Sequence, residues 1–289
     1  MSHRGRLGGV AAVATLAALG MLALAVTAAA GERLKTKSQT VDVDSNESET
    51  ATPKCKRGTR AISGGFETDP VQAGGMTAWV LPYESRKRGR RSWEATGANA
   101  GSLEGELTAY VYCRDEKVKS KTDTADVDGS SGGGFDTESA TAKCARGMKA
   151  VSGGFDNPDF SIGGGTLIFP YESLKQGKRK WTASGQNLGT AEGEVLAQVN
   201  CREGEGLNTR RESETIASLE AADVAVKCKR GDRVVSGGFA IENPFSTAPD
   251  FGPYVYASRK RGKRTWVTSF FGYSPNSEDV TAYAYCEEA

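Results

Sequence analysis

The chain has 289 residues, 25% of them charged, with 37 Lys and Arg against 36 Asp and Glu. So even a balance excludes bulk attraction to nucleic acid, so that any such attraction has to be local and no nucleic-acid partner is expected. The single histidine, His3, lies at the extreme N-terminus, which bears on every catalytic reading below.

Residues 1–30 read as a signal peptide. Arg4 and Arg6 precede an uncharged run rich in Ala and Leu from Leu7 to Ala30, and Ala28-Ala29-Ala30 supplies small residues for a signal peptidase. Cleavage there makes Gly31 the new N-terminus. The competing reading is an uncleaved anchor, since the run is long enough to span a bilayer; no later segment is. Export removes His3, Arg4 and Arg6, so 35 basic residues face 36 acidic ones and no histidine is left. Ser-His-Asp and Cys-His catalytic sites are thereby excluded from the exported chain.

From residue 34 onward the chain is one module written three times. "AISGGF" at Ala61–Phe66 returns as "AVSGGF" at Ala150–Phe155 and as "VVSGGF" at Val234–Phe239. Trp93, Trp181 and Trp266 each lie ten residues after Tyr83, Tyr171 and Tyr256, and twenty before Cys113, Cys201 and Cys286. The modules fall at 34–116, 117–205 and 206–289. Each carries one cysteine pair at the same separation, which favours the bridges Cys55–Cys113, Cys144–Cys201 and Cys228–Cys286. Closing a loop of nearly sixty residues stabilises a module by roughly 4 kcal/mol in the chain-entropy model. No C-x-x-C pair occurs, and without histidine neither a metal site nor a cofactor is expected.

Within module 1 the elements come in the order "TVDVD" (Thr40–Asp44), "TRAISGGF" (Thr59–Phe66), "TAWVLPYES" (Thr77–Ser85), "SWEATG" (Ser92–Gly97) and "ELTAYVYC" (Glu106–Cys113). Alternating apolar and polar residues, with Thr, Val, Tyr and Trp between turn residues, mark strands. The fold class is all-β: three repeated antiparallel modules of a small sandwich or barrel type, with one disulfide each. Whether the modules are separate beads or close into one body is open. The Gly-Gly pairs mark a bulge or a close approach of another segment, which lets Phe66, Phe155 and Phe239 turn into the core.

The hairpin before the tryptophan has a predicted register. If Tyr83 faces Trp93, Lys87-Arg88-Gly89 is a three-residue loop with Gly in the position needing left-handed backbone. Arg86 then opposes Arg90, and Arg259 opposes Lys263. The hairpin is strongly basic in every copy: Arg86, Lys87, Arg88, Arg90 and Arg91; Lys175, Lys178, Arg179 and Lys180; Arg259, Lys260, Arg261, Lys263 and Arg264. Opposed like charges are mildly destabilising, so tips that keep them suit an anionic partner. The plainer reading is that charged edges keep a β protein soluble. Acidic residues gather in "VDVDSNESE", "TDTADVD" and "ESETIASLE", where they offer partners to a neighbouring module's tip. "SIGGGT" at Ser161–Thr166 lacks the Lys-Ser/Thr ending of a phosphate loop, and Asn46-Glu47-Ser48 fits a glycosylation sequon.

The pattern C-x-x-G-x-x-x-x-S-G-G-F, a tryptophan strand, then a last strand such as "TAYVYC" is carried by Cys55, Gly58, Ser63, Gly64, Gly65, Phe66, Trp93 and Cys113 and their counterparts. It resembles a repeat module of exported bacterial proteins. That resemblance implies exported β-modules and no particular activity. The threefold repeat is also similar to β-prism proteins of extracellular coats and lectins, whose repeats are shorter. The function expected is a secreted, non-catalytic protein that binds or coats an extracellular surface, its tips contacting an anionic cell-surface polymer or glycan. A secreted hydrolase with a paired-carboxylate site and a purely structural or inhibitory secreted protein are the alternatives.

Overall fold

A computed structural model describes residues 34–69, 78–130, 135–163, 165–242, 244, 252–273 and 276–288. The signal segment expected at 1–30 lies outside them. Module 1 forms β1 (Lys35–Val43), β2 (Ser48–Ala51), β3 (Arg60–Thr68), β4 (Val80–Arg88), β5 (Ser92–Asn99) and β6 (Gly105–Arg114). Module 2 forms β7 (Lys119–Val127), β8 (Asp136–Lys143), β9 (Lys149–Asp156), β10 (Ile168–Gln176), β11 (Lys180–Asn187) and β12 (Gly193–Arg202). Module 3 forms β13 (Asn208–Ile216), β14 (Ala221–Lys227), β15 (Arg233–Ile241), β16 (Tyr254–Arg261), β17 (Thr265–Phe271) and β18 (Glu278–Glu287). The fold is all-β and antiparallel, and the three disulfides join the expected cysteines with Cα atoms 5.7–5.8 Å apart.

No sheet belongs to one module. There are three six-stranded sheets, in the orders β1-β6-β3-β16-β17-β14, β13-β18-β15-β10-β11-β8 and β2-β5-β4-β9-β12-β7. Each module gives three strands to one sheet and three to the next, so the modules close into a ring. The open question of beads or one body is thereby answered: Glu32–Ala289 is one compact unit.

The ladder across the middle of each sheet has only two residue pairs: Glu84↔Asp156 with Ser85↔Phe155, Glu172↔Ala240 with Ser173↔Phe239, and Ala257↔Glu67 with Ser258↔Phe66. The Gly-Gly pairs sit at these junctions and do two separate jobs. A Cβ on Gly64, Gly153 or Gly237 would overlap the indole of Trp93, Trp181 or Trp266 in its own module. A Cβ on Gly65, Gly154 or Gly238 would overlap the carbonyl oxygen of Ser258, Ser85 or Ser173 in the neighbouring module. Of the two readings of the pair, close approach is the one that explains it. The register shift beside it falls earlier, between Ala61 and Ser63 in β3 and between Val234 and Ser236 in β15.

The polar groups brought inside are paired in the same cyclic order. The Ser63 hydroxyl donates to the Val235 carbonyl, Ser152 to Ile62 and Ser236 to Val151, at 2.5–2.6 Å. Each buried indole N–H donates to a junction serine, Trp93 to Ser85, Trp181 to Ser173 and Trp266 to Ser258, at 2.9–3.0 Å. A buried hydroxyl or indole left without a partner costs about 1–3 kcal/mol; the serine-to-carbonyl bonds tie each module to its neighbour, and the indole bonds hold each junction serine within its own module. Between them Phe66, Phe155 and Phe239 pack edge to face, with centroids 5.8–5.9 Å apart.

Two substitutions within the repeat pair off across junctions. Arg86 meets Asp156, and Arg259 meets Glu67 at 2.7 Å; the third junction has Leu174 and Ala240 at the same places. In modules 1 and 3 a tyrosine hydroxyl accepts from the neighbour's backbone, Tyr112 from Lys260 N–H and Tyr285 from Lys175 N–H, both at 2.7 Å. Module 2 has Asn200 there, and Gln198 Oε1 accepts from Lys87 N–H at 2.9 Å instead.

The predicted hairpin register is corrected. Lys87 faces Trp93 and Arg88 faces Ser92, so the loop is Gly89-Arg90-Arg91 and glycine opens it. Tyr83 falls at a bulge between Pro82 and Glu84 and faces nothing on β5. The cause is anchorage at the loop. The Arg91 and Arg90 carbonyls accept from the N–H groups of Cys55 and Ala61 at 2.8 and 3.1 Å, and the other copies repeat this with Cys144, Ala150, Cys228 and Val234. The expected opposition of Arg86 to Arg90, and of Arg259 to Lys263, is therefore absent; Arg86 faces Glu94 and Arg259 faces Val267.

Candidate functional site

The ladders sort the cations along the body. Strand β1 starts beside a disulfide, with Lys35 opposite Cys113, and ends with Asp42 opposite Glu106. In module 2, Lys119 lies opposite Cys201 and Asp126 opposite Glu194. In module 3, Asn208 lies opposite Cys286 and Thr215 opposite Asp279. Every Lys and Arg from residue 34 onward stands at the disulfide end, in the tips, the loops after the first cysteine, or the strand ends beside them. The stretches 39–53, 61–85 and 93–113, with their counterparts in modules 2 and 3, contain none. The far end instead exposes Asp42, Asp44, Glu104, Glu106, Asp126, Asp128, Glu192, Glu220 and Asp279. Their mutual repulsion shows at Glu104, whose carboxyl is pushed up chiefly by Asp42 and Asp44. The acidic segments thus point away from the tips and do not pair with them.

The tips surround the centre of the basic end. There Arg114, Arg202 and Glu287, the residues that follow the three second cysteines, meet as an ion cluster with Glu116. The two arginines hold the Glu287 carboxyl below its ordinary range despite burial. Around this cluster the predicted cations divide in two. Arg86, Arg88, Arg259 and Arg261 pair with carboxylates. Lys87 and Lys175 donate to the carbonyls of Gly89 and Gly177, Lys260 lies over the Tyr112 ring, and Arg264 donates to the Cys228 carbonyl. Burial pushes the ammonium groups of Lys87, Lys175 and Lys260 down.

The second group is Arg90, Arg91, Lys178, Arg179, Lys180 and Lys263, which make no side-chain hydrogen bond or ion pair among the described residues. Beside the first tip a cavity of about 560 Å³ is lined by Lys54, Arg60, Arg88, Arg90 and Arg91, with Asp115 as its single carboxylate among the described residues. The cations of the cysteine loops (Lys54, Lys56, Arg57 and Arg60 in module 1) extend the basic surface, and the sequence reading passed over them. Their signal was present, since each loop repeats the pattern C-x-R-G. Like charges do oppose each other here, as Arg60 against Arg114 and Lys143 against Lys180.

Two carboxylates do converge, on Arg86. Its guanidinium lies 2.7 Å from Glu84 and 2.5 Å from Asp156, and Glu84 also accepts from the Thr96 hydroxyl at 2.6 Å. Neither carboxylate lines any of the tip cavities. Burial, then Glu84, pushes the Asp156 carboxyl up to about 6 against the pull of Arg86. A carboxyl raised on folding stabilises most when protonated, so its contribution is lost as pH rises from about 4 through about 6. The loss is at most about 3 kcal/mol. Denaturant titrations at pH 4.5 and 7 are expected to show this fall in wild type and a smaller one in Asp156→Asn; equal falls would contradict the assignment.

Among the described residues no group of three or more Cys, His, Asp or Glu is placed to hold a metal ion, and no helix is long and apolar enough to cross a membrane. No protein-family model and no curated protein matches the chain.

Proposed function

We propose that this chain is an exported, non-catalytic binding protein that lays one basic pole on an anionic polymer of an extracellular surface. What supports the reading is the complete segregation of Lys and Arg to the disulfide end. Solubility alone asks for mixed charge and gives no reason to sort it along the strands. A pole on a nearly neutral chain gives local attraction without bulk attraction, and it orients the molecule with its acidic end outward. The three tips act together, so modest contacts at each add as avidity on a polymer that spans them. The three disulfides suit an oxidising compartment.

The test is retention on an immobilised polyanion under a salt gradient. Reversing Arg90, Arg91, Lys178, Arg179, Lys180 and Lys263 to Glu is expected to move elution to less than half the wild-type salt concentration. Surface substitutions of this kind cost little stability, about 0.5 kcal/mol or less each. Elution together with wild type would sink the proposal.

A further inference from the structure

The clefts beside the tips share a plan but differ in lining. Between modules 2 and 3 the cleft of about 420 Å³ brings Glu205, Glu287 and Glu288 among its cations. Between modules 3 and 1 the cleft is smaller, about 270 Å³, and no carboxylate among the described residues lines it. Its charged lining is Arg114, Arg233, Lys260 and Lys263, and its apolar lining is Leu34 and Val234. Arg114 leans on Glu287 and Glu116 at the axis, and Lys260 lies over the Tyr112 ring. The Lys260 ammonium is destabilised first by burial, then by Arg114 and Arg233, with Glu287 alone opposing. Like charges held together in a partly dry cleft repel, and an anion among them removes that repulsion. The volume is at the small end for a ligand pocket.

We infer that the cleft between modules 3 and 1 binds a small amphiphilic anion, a phosphate or sulfate monoester on a short apolar group. The charged oxygens sit among Arg233, Lys260 and Lys263, and the apolar group lies on Leu34 and Val234. This rests on the reading of the basic end as an anion-binding surface and names one ligand class for it. Modules 2 and 3 do not form an equivalent site, because their cleft supplies its own carboxylates.

Calorimetric titration of the full chain with hexyl phosphate tests it, with inorganic phosphate as the comparison. One site is expected, binding hexyl phosphate at least tenfold more tightly than phosphate. Lys260→Gln and the exposed Lys263→Gln are each expected to weaken hexyl phosphate binding about tenfold. Leu34→Asn removes the preference for the hexyl ester, and Lys178→Gln in the other cleft leaves hexyl phosphate binding as in wild type. No saturable binding, three equivalent sites, or equal losses in Lys178→Gln and Lys263→Gln would overturn the inference. Vesicles carrying phosphatidic acid separate the sources: retention lost in Lys263→Gln assigns a lipid headgroup, and binding of the free ester alone assigns a soluble one. A wild-type chain that is retained on the polyanion and does not bind the ester defeats the cleft only, whereas one that binds the ester and is not retained defeats the surface reading only.

Discussion

Gly154→Ala is expected to destabilise the whole body by about 3 kcal/mol or more, beyond the ordinary range for a single added methyl. The methyl would overlap the Ser85 carbonyl oxygen and lie 2.8 Å from the Arg86 Cα. Both belong to the backbone of the neighbouring module, so no side chain can rotate away. The ladder between β4 and β9 is only Ser85↔Phe155 and Glu84↔Asp156, and the intruding methyl pushes both pairs apart. Calorimetric unfolding is expected to fall by about 6–12 °C, taking 2–4 °C per kcal/mol for a body of this size. Gly206→Ala, where the same methyl meets only the Lys149 side chain at 4.0 Å, is the control and leaves the midpoint within about 2 °C. Equal midpoints for the two variants would show that the junction yields.

A larger loss is expected for module 2 excised as residues 117–205. It keeps Cys144–Cys201, worth roughly 4 kcal/mol in the chain-entropy model, yet it loses its neighbours on both sides. Strand β9 no longer has β4, and β10 no longer has β15. Phe155 loses both Phe66 and Phe239, and the Ser152 hydroxyl loses the Ile62 carbonyl. What is left is two three-stranded half-sheets with open inner edges and a small core, too little to offset chain entropy. The oxidised fragment is expected to show no cooperative thermal transition and no dispersed amide spectrum. A sharp two-state transition would mean that the repeat, and not the ring, is the folding unit.

Much of this was legible in the residues. The repeat, the cysteine pairing and the strand character of "SGGF" follow from spacing and alternation alone. The hairpin register did not, because Tyr83 sits on a bulge and the loop carbonyls are bound by Cys55 and Ala61; neither the bulge nor that anchorage is visible in a ten-residue spacing. Sharing of sheets between modules was hidden because junction residues are the same Ser, Gly and Phe that a private core would use. Its one sequence trace is the paired exchange of Arg86 and Asp156 for Leu174 and Ala240. The charge poles lay in plain view as long stretches without Lys or Arg, but they acquire a direction only when Lys35 is known to face Cys113 and Asp42 to face Glu106. The tips were found and their neighbours, the cysteine loops, were not, since a scan for hairpins looks past a basic loop that closes no turn of its own.

The most direct test of a basic pole as the binding surface compares two variants that shift net charge in opposite directions. One changes Arg90, Arg91, Lys178, Arg179, Lys180 and Lys263 to Gln; the other changes Asp42, Asp44, Glu104, Asp126, Asp128 and Asp279 to the matching amides. Polyanion affinity measured at fixed salt is expected to fall at least tenfold in the first and to stay within about twofold of wild type in the second, since the far end lies beyond the screening length of about 8–10 Å. Affinity that instead rises in the second as much as it falls in the first would mean that net charge, and not the pole, governs binding.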